Sequence, residues 1–351
     1  MSLAETLKQI RPLDRSLEGV AQERLDSLTK PQGSLGKLEE LARRIALIQG
    51  KVPPQLGRKL LFVFAADHGI TKEGVSAYPK DVTAQMTYNF LNGGAAINVL
   101  ARHYGVDTEV VDVGVDHEFS AARGLRHCKL RRGTANFARG PAMTRDEARR
   151  SVELGIQLAQ EAAAENLFLL GAGDMGIGNT SSAAAILCAL TGAAAADAVG
   201  RGTGIDDAAL TRKIAAIESG LDLNRPDVDD PFDVLAKVGG LEIGAMTGVI
   251  IGAASLRIPM VLDGFISGAA ALLAQRFSPH VRDFLFASHL SAEKGHRLML
   301  DDLKLTAVID LQMRLGEGTG ACVLMGLIEA SVKIMGEMAT FESAGVKDKL
   351  P

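Results

Sequence analysis

Several features that would assign this chain to a membrane, secreted or nucleic-acid-binding class are missing from its sequence. The longest apolar run, residues 243–256, is shorter than the roughly 20 residues that span a bilayer, and it contains glycines. The first residues are amphipathic and include an acid, unlike a signal peptide. The three cysteines are far apart, which favours reduced thiols and argues against a disulfide framework or a zinc site. The net charge is −4 without a basic block. We therefore expect a cytoplasmic protein with no membrane or nucleic-acid partner.

Common catalytic motifs are missing as well. The sequence contains no HExxH zinc motif, no magnesium-type aspartate cluster, no Walker A loop and no GxSxG nucleophile. His289, Glu293 and His296 have the i, i+4, i+7 spacing of a metal site. That site is not favoured, because Ser291 is expected to begin the helix and to leave His289 outside it. We therefore expect chemistry without a metal, a cofactor or a covalent nucleophile.

What the sequence does contain is a regular alternation of apolar strands and helices. Its 351 residues are 47% hydrophobic, enough for one large core and a smaller appended unit. The capping box Thr144-x-x-Glu147 predicts the start of a long helix. Buried strands that alternate with helices predict an α/β fold with a parallel sheet covered on both faces. The predicted strands are 60–66, 109–113, 167–170, 260–262 and 284–286.

The same patterns suggest two domains. Residues 58–300 are expected to form a large α/β domain. Residues 1–57 and 301–351 have mostly helical patterns, and we expect both chain ends to form one smaller helical domain.

The stretch from Leu167 to Thr180 is the most informative part of the chain. An apolar strand ends there in glycines, and an alanine-rich helix follows at 182–190. Such a turn brings free backbone N–H groups and a helix N-terminus to one point, which suits a phosphate. Asn179 at the helix start favours a ligand, although such polar residues also cap helices. Other polar clusters follow predicted strands and are expected at the same edge of the sheet: 67–69, 263–265 and 288–291.

Gly171, Gly173 and Gly176 also satisfy the dinucleotide fingerprint GxGxxG. That alternative, a dinucleotide-dependent oxidoreductase, requires a second strand after the helix, ending in an acid that binds the ribose. Residues 191–197 are a run of small residues without a strand pattern, so Asp197 has no strand beneath it. The oxidoreductase is therefore the less favoured alternative.

Two further glycine-rich segments carry candidate functional side chains. Glu317 lies between glycines just before a long apolar helix. It could simply interact with the helix dipole, worth under about 1 kcal/mol, but flanking glycines suit a backbone that a ligand approaches closely. The second segment, 199–204, precedes a helix that carries Lys213. Lys213 suits a phosphate or carboxylate there, although a solvated lysine beside a flexible loop is the more ordinary interpretation.

Four of these segments stand out when taken together. They are GDMGIGNT at 173–180, LDGF at 262–265, SHLSAE at 288–293 and RLGEGTGA at 314–321. In this order they resemble the nicotinate-nucleotide–dimethylbenzimidazole phosphoribosyltransferases. The segments 31–36, 66–69 and 237–240 fit the same family, so the resemblance covers essentially the whole chain.

The resemblance implies an activity and an architecture. The activity is transfer of 5-phosphoribose from nicotinate mononucleotide to 5,6-dimethylbenzimidazole, which releases nicotinate and forms α-ribazole 5′-phosphate for the lower ligand of cobalamin. The architecture is a Rossmann-like parallel sheet with a small helical domain from both termini, in a homodimer.

The resemblance also implies roles for individual residues. Glu317 would be the catalytic base, and the benzimidazole would lie near Tyr78, Met86 and Leu315. The nucleotide would be bound by Asp174, Gly176, Asn179, Thr180, Gly202, Gly204, Lys213 and Ser291. The family usually has glutamate in place of Asp174, and some members have serine and glutamine in place of Tyr78 and Met86. The acceptor could therefore be another benzimidazole, a purine or a phenol.

Overall fold

The computed structural model of the chain describes residues 2–120, 122–164, 166–202 and 204–347. Within these ranges six strands form one parallel sheet in the order β3-β2-β1-β4-β5-β6. The strands are β1 (Arg58–Ala66), β2 (Asp107–Gly114), β3 (Leu125–His127), β4 (Leu167–Met175), β5 (Met260–Leu262) and β6 (Leu285–Ala287). The prediction of an α/β fold with a Rossmann-like parallel sheet is confirmed.

Helices flank this sheet, and α4, α5, α11, α12 and α14 contact its strands. The helices are α1 (Leu3–Gln9), α2 (Glu18–Asp26), α3 (Lys37–Gln49), α4 (Val82–Leu91), α5 (Ala96–Tyr104), α6 (Arg145–Ala163), α7 (Asn179–Thr191), α8 (Ala195–Ala198), α9 (Asp207–Asn224), α10 (Pro231–Val238), α11 (Leu241–Ser255), α12 (Phe265–Phe277), α13 (His296–Leu303), α14 (Thr319–Glu337) and α15 (Phe341–Ala344). The capping box predicted for α6 is present, because the Glu147 N–H donates to Thr144 Oγ1 at 3.2 Å and the Thr144 N–H to Glu147 Oε2 at 2.8 Å.

The strand order determines where a ligand can bind. After β1 the chain adds β2 and β3 on one side, and then β4, β5 and β6 on the other side of β1. Open parallel sheets bind ligands beyond the carboxyl ends of their strands, near such a change of direction. The polar segments that follow β4, β5 and β6 therefore meet at one edge of the sheet.

Two differences from the predicted strands affect this edge. β4 does not end at its glycines but continues to Met175. The glycines of β4 allow α14 and the turn before it to pack closely against the strand. A Cβ at Gly173 would lie 2.2 Å from the carbonyl carbon of Glu317, and one at Gly171 would lie 2.7 Å from Cε of Met325. β3 was not predicted, because its sequence, Leu-Arg-His, is not apolar like those of the equally short strands β5 and β6.

The two ends of the chain pack together. Arg24 Nε donates to the carbonyl of Met335 at 2.9 Å, and Leu28 forms an antiparallel bridge with Thr340. Helices α2, α3 and α14 share a small apolar cluster separate from the main core, formed by Ala21, Leu25, Leu28, Ala42, Ala46 and Met335. Other side chains of α3, such as Ile45, belong to the main core. The division into domains 1–57 plus 301–351 and 58–300 therefore stays a prediction.

Helix α14 is, within the described part of the chain, the one helix long and apolar enough to cross a membrane by length and composition. In the structure it packs against α3, α5 and β4, and much of it is buried. A core helix has the same composition as a membrane span, so the expected absence of a membrane partner stays a prediction.

Candidate active site

A cleft of about 750 Å³ opens at the carboxyl edge of the sheet. Residues that follow β4, β5 and β6 line it, together with residues 312–319 and parts of α4 and α5. The predicted site residues that line it are Tyr78, Met86, Asp174, Gly176, Asn179, Thr180, Gly202, Ser291, Leu315 and Glu317. Gly204 is not part of the lining, and Lys213 reaches the cleft through its contact with Thr180. The structure thus brings most of the predicted set together.

One side of the cleft, the polar half, consists of Asp174, Asn179, Thr180 and Lys213. Asn179 Nδ2 donates to Asp174 Oδ2 at 2.8 Å, and Lys213 Nζ donates to Thr180 Oγ1 at 2.8 Å. Lys213 is only 1% exposed, so it is not the solvated lysine that the sequence left open. Burial lowers the pKa of Lys213 to about 8, and the charge of Glu293 opposes this decrease. A buried ammonium beside a helix N-terminus is suited to a phosphate.

The turn between β4 and α7 packs on three buried polar side chains that are hydrogen-bonded to one another through His68. His68 Nε2 lies 2.6 Å from Glu242 Oε1, and His68 Nδ1 lies 3.1 Å from Ser182 Oγ. Gly176 lies directly against this layer: a Cβ there would lie 2.5 Å from the carbonyl oxygen of Ala66 and 3.3 Å from the His68 ring. The glycine is therefore required by close packing beneath the turn.

Glu317 lies in the turn that precedes α14. Its φ is +63°, and those of Gly316 and Gly318 are +84° and +88°, so three successive residues are left-handed. For a residue other than glycine this conformation costs about 1–3 kcal/mol and is typical of functional sites. The Glu317 carboxylate does not cap α14 but turns to α5, where it accepts the Ile97 N–H at 3.3 Å. Glu317 therefore does not cap its own helix but accepts an N–H from the first turn of α5, and its role as a functional residue stays a prediction.

The electrostatics of Glu317 suit a proton acceptor. The residue is 5% exposed, and burial raises the pKa of its carboxyl group, while the Ile97 N–H opposes the increase. A base whose pKa lies closer to neutral pH takes a proton more effectively at that pH. Asp174, also in the cleft, has its pKa raised to about 8 by burial and by the charge of Asp263.

The apolar half of the cleft is the set of apolar lining residues Tyr78, Val82, Met86, Leu100 and Leu315. Tyr78 is 53% exposed and Leu315 is 58% exposed. A flat aromatic ligand would remove this surface from water, at about 25 cal/mol for each Å² buried. The apolar half can therefore bind a ring mainly by shape and burial.

The segment after β6 differs from its prediction. Helix α13 begins at His296 and not at Ser291. The reason is that this segment pairs with residues before α14: the Ala292 N–H donates to the carbonyl of Met313 at 3.0 Å. The Ser291 N–H donates to His296 Nδ1 at 2.9 Å, and burial lowers the pKa of His296 to about 3. Among the described residues, no three His, Cys, Asp or Glu side chains are grouped so that they could hold a metal ion.

Other residues of the cleft were not named individually as binding residues from the sequence. Asp263, His289 and Glu293 line it, and Ala96 does so from the start of α5. Asp263 and His289 belong to the clusters 263–265 and 288–291, which were expected at this edge because they follow strands, whereas Glu293 was considered only as a metal ligand. The contribution of α5 had no such signal, because it depends on how the helix packs beside α14.

The dinucleotide alternative is not supported. Gly171 and Gly173 lie inside β4 against α14, so only Gly176 belongs to the turn. After α7 the chain forms the short helix α8, which contains Asp197, where the alternative requires a strand. The three glycines therefore match the fingerprint without forming its structure.

Comparisons with known proteins agree with this geometry. A family model described as "Phosphoribosyltransferase" matches residues 10–346. The nicotinate-nucleotide–dimethylbenzimidazole phosphoribosyltransferase of Geobacter sulfurreducens is 58% identical over 346 residues, covering 99% of this chain and 98% of that protein. The protein of the same name from Geobacter sp. strain M21 is 56% identical over 344 residues, covering 98% of this chain and 99% of that protein. The crystal structure of CobT from Thermus thermophilus matches with a TM-score of 0.90 at 48% identity, covering 98% of this chain and 100% of that one. The chain therefore belongs to the nicotinate-nucleotide–dimethylbenzimidazole phosphoribosyltransferase family, as its motifs predicted, and it is an enzyme of the pentosyltransferase class.

Proposed function

We propose that the enzyme transfers 5-phosphoribose from nicotinate mononucleotide to 5,6-dimethylbenzimidazole or a related base, with Glu317 as the general base. The products are nicotinate and α-ribazole 5′-phosphate, the nucleotide of the cobalamin lower ligand. The names of the relatives support this reaction. The observation that carries the role of Glu317 is its buried carboxylate in the wall of a cleft that has one polar and one apolar half.

The bond changes require little from the protein besides position and one base. The pyridine nitrogen of nicotinate mononucleotide is cationic, so it leaves C1′ as a neutral ring and needs no general acid. One nitrogen of the benzimidazole attacks C1′ from the opposite face, which inverts the β configuration to α. The remaining N–H of the benzimidazole becomes acidic as the new bond forms, and its proton passes to Glu317. A positioned base contributes about 10²–10⁴-fold, and holding two flat reactants in line contributes further.

The two halves of the cleft then have separate tasks in the proposal. Lys213, supported by Thr180, binds the phosphate. The other nucleotide-binding residues are Asp174, Gly176, Asn179, Gly202, Gly204 and Ser291. Tyr78, Met86 and Leu315 bind the acceptor base by contact with its ring.

Incubation with nicotinate mononucleotide and a panel of bases tests this reaction. The panel contains 5,6-dimethylbenzimidazole, unsubstituted benzimidazole, adenine and phenol, and free nicotinate and the new nucleotide are separated by chromatography. We expect nicotinate release that depends on the base. Absence of nicotinate with every base would overturn the proposed reaction.

Glu317→Gln tests the general base within the same assay. We expect kcat to fall about 10²–10⁴-fold while calorimetry shows unchanged binding of nicotinate mononucleotide. Glu337→Gln, on an exposed position of α14, is the matched control and should retain full activity. Full activity of Glu317→Gln would rule out its role as the base.

The proposal includes a cytoplasmic homodimer. The dimer is proposed from the resemblance of the chain to its family. Sedimentation of the purified protein would test this, since a monomer at micromolar concentration would contradict it.

A further inference from the structure

Asp263 makes a set of contacts that the reaction as proposed leaves unused. It follows β5 and is almost fully buried. Its Oδ2 accepts the N–H of Gly318 at 3.1 Å, and its Oδ1 accepts the N–H groups of Gly320 at 2.7 Å and Ala321 at 3.2 Å. These N–H groups belong to the first turn of α14, whose own N-cap residue, Gly318, has no side chain that could cap it. A residue from a distant strand therefore caps this helix.

This capping fixes the backbone on the C-terminal side of Glu317. The strained, left-handed backbone at Glu317 persists only if its surroundings hold it there. Gly173 of β4 packs closely against the carbonyl group of Glu317, and the Ile97 N–H donates a hydrogen bond to the Glu317 carboxylate. Asp263 supplies the remaining restraint, because it binds the N–H of the next residue, Gly318.

Asp263 is itself held in place from the neighbouring strand. Ser288, directly after β6, donates its hydroxyl to the carbonyl oxygen of Asp263 at 2.6 Å. The ends of β5 and β6 thus determine jointly where the start of α14 lies, and with it where Glu317 lies.

The alternative, that Asp263 exchanges a proton with a ligand, fits the contacts less well. Both of its carboxylate oxygens already accept backbone N–H groups. Burial, together with the charge of Glu317, raises the pKa of Asp263 to about 7, although the three N–H groups oppose this increase. Its hydrogen bonds favour the ionised form, so the carboxylate serves as an acceptor for the backbone.

We infer that Asp263 is a positioning residue, which holds Glu317 in its reactive orientation by binding the backbone N–H groups of the turn between Glu317 and α14. The inference rests on the proposed role of Glu317 as the base. It assigns Asp263 no contact with the substrate.

Asp263→Asn tests the inference with little change in shape. The amide keeps one oxygen acceptor but replaces the other with an NH₂ group, so at least one N–H of the turn loses its partner. We expect kcat to fall about 10–100-fold, with the Kd for nicotinate mononucleotide within twofold of the parent value, because the hydrogen bonds of the polar half do not involve Asp263.

Two measurements separate positioning from a loss of folded protein. Calorimetric binding stoichiometry gives the fraction of competent sites, and kcat is expressed per site. A displaced Glu317 carboxylate would lose the Ile97 N–H, which lowers its pKa, so the acidic limb of the kcat–pH profile should also move to higher pH. A purely structural role would reduce the number of sites and leave this limb in place.

The matched control is Asp230→Asn. Asp230 also caps a helix, accepting the N–H groups of Phe232 at 3.1 Å and Asp233 at 3.3 Å at the start of α10, but it does not line the cleft. Its kcat per site and its pH profile should equal those of the parent. If Asp263→Asn fails to fold, Ser288→Ala replaces it, and we expect a fall in kcat of about 3–10-fold with unchanged nucleotide binding.

The outcomes distinguish this inference from the proposed function. A parent enzyme without turnover, or a fully active Glu317→Gln, overturns the proposed function. An inactive Glu317→Gln beside an Asp263→Asn variant with parental kcat per site and pH profile overturns the inference alone. With Ser288→Ala as the substitute, a parental kcat overturns it in the same way.

Discussion

In the polar half of the cleft, Asp174, Asn179 and Lys213 are buried and Thr180 is half-buried. Hydrogen bonds already join Asn179 to Asp174 and Lys213 to Thr180. In the apolar half, Tyr78 and Leu315 are more than half exposed. The side chains of the polar half are therefore already desolvated before a ligand binds, whereas Tyr78 and Leu315 of the apolar half stay hydrated until a ligand covers them. The two halves differ in when their desolvation takes place.

This difference has a consequence for selectivity. A buried polar site discriminates strongly, because a ligand that lacks the complementary group leaves buried polar atoms unpaired. An apolar surface discriminates weakly, at about 1–3 kcal/mol for a methylene group. We therefore expect strict selection of the phosphoribosyl donor and tolerant selection of the acceptor base.

Among the changes that test the contrast between the halves, the largest expected effect comes from removing the cation of the polar half. Lys213→Met should weaken binding of nicotinate mononucleotide by about 2–3 kcal/mol, roughly 30–150-fold, because the phosphate loses a charged hydrogen-bond donor. Calorimetry measures the Kd. Arg212→Met, an exposed position beside it on α9, is the matched control and should bind normally. Unchanged affinity in Lys213→Met would refute the phosphate role and weaken the contrast between the halves.

The next effect is a pH dependence confined to the polar half. Burial lowers the pKa of Lys213 to about 8, so the ammonium is charged below that pH and is lost as the pH rises through it. A phosphate prefers the charged form, and affinity for the nucleotide should therefore be constant near pH 7 and fall by up to about tenfold for each pH unit above 8. Calorimetry between pH 7 and 9.5 checks this. Lys213→Met should show no such fall, and a parent curve that stays flat would contradict the assignment.

A smaller effect is expected from the apolar half. Met86→Gln places an amide among apolar side chains, and we expect the KM for 5,6-dimethylbenzimidazole to rise about 3–10-fold, near 1 kcal/mol. The KM for nicotinate mononucleotide should stay unchanged. Adenine, whose ring edge can hydrogen-bond the amide, should be affected less. Gln85→Met, on the exposed side of α4, is the control. An equal loss for both bases would show that selection in this half does not depend on shape and burial.

The two halves also differ in how far the sequence predicted them. The polar half follows strand ends, and strand ends in a parallel sheet meet at one edge, so Asp174, Asn179 and Thr180 could be placed together from their order in the chain. The strand length could not be predicted in the same way. The glycines of β4 indicate a turn in isolation, and only their contact with α14 shows that they continue the strand.

The surroundings of Glu317 show most clearly what could not be predicted from the sequence. Its flanking glycines predicted an unusual backbone, and the structure has one. The partners that hold it, Ile97 from α5 and Asp263 from β5, are distant in sequence. No local pattern specifies them, because they depend on how helices pack on the assembled sheet.

The smallest expected effect is on folding stability. It tests whether burial of the polar half lowers the free energy of unfolding. Burial raises the pKa of Asp174 from 3.8 to about 8, so the folded protein binds a proton there that the unfolded chain releases. Stability should therefore decrease as the pH rises from about 4 to 8. Asp174→Asn keeps an acceptor for Asn179 but does not titrate, and its Tm should exceed that of the parent at pH 8, by about 2–4 °C for each kcal/mol. This Tm difference should become smaller towards pH 5. Asp222→Asn, at an exposed position of α9, should have the Tm of the parent at both pH values. A Tm difference that does not change with pH would mean that Asp174 is ionised in the folded enzyme. The polar half would then bind its ligands without the loss of stability that a buried carboxyl group with a raised pKa causes.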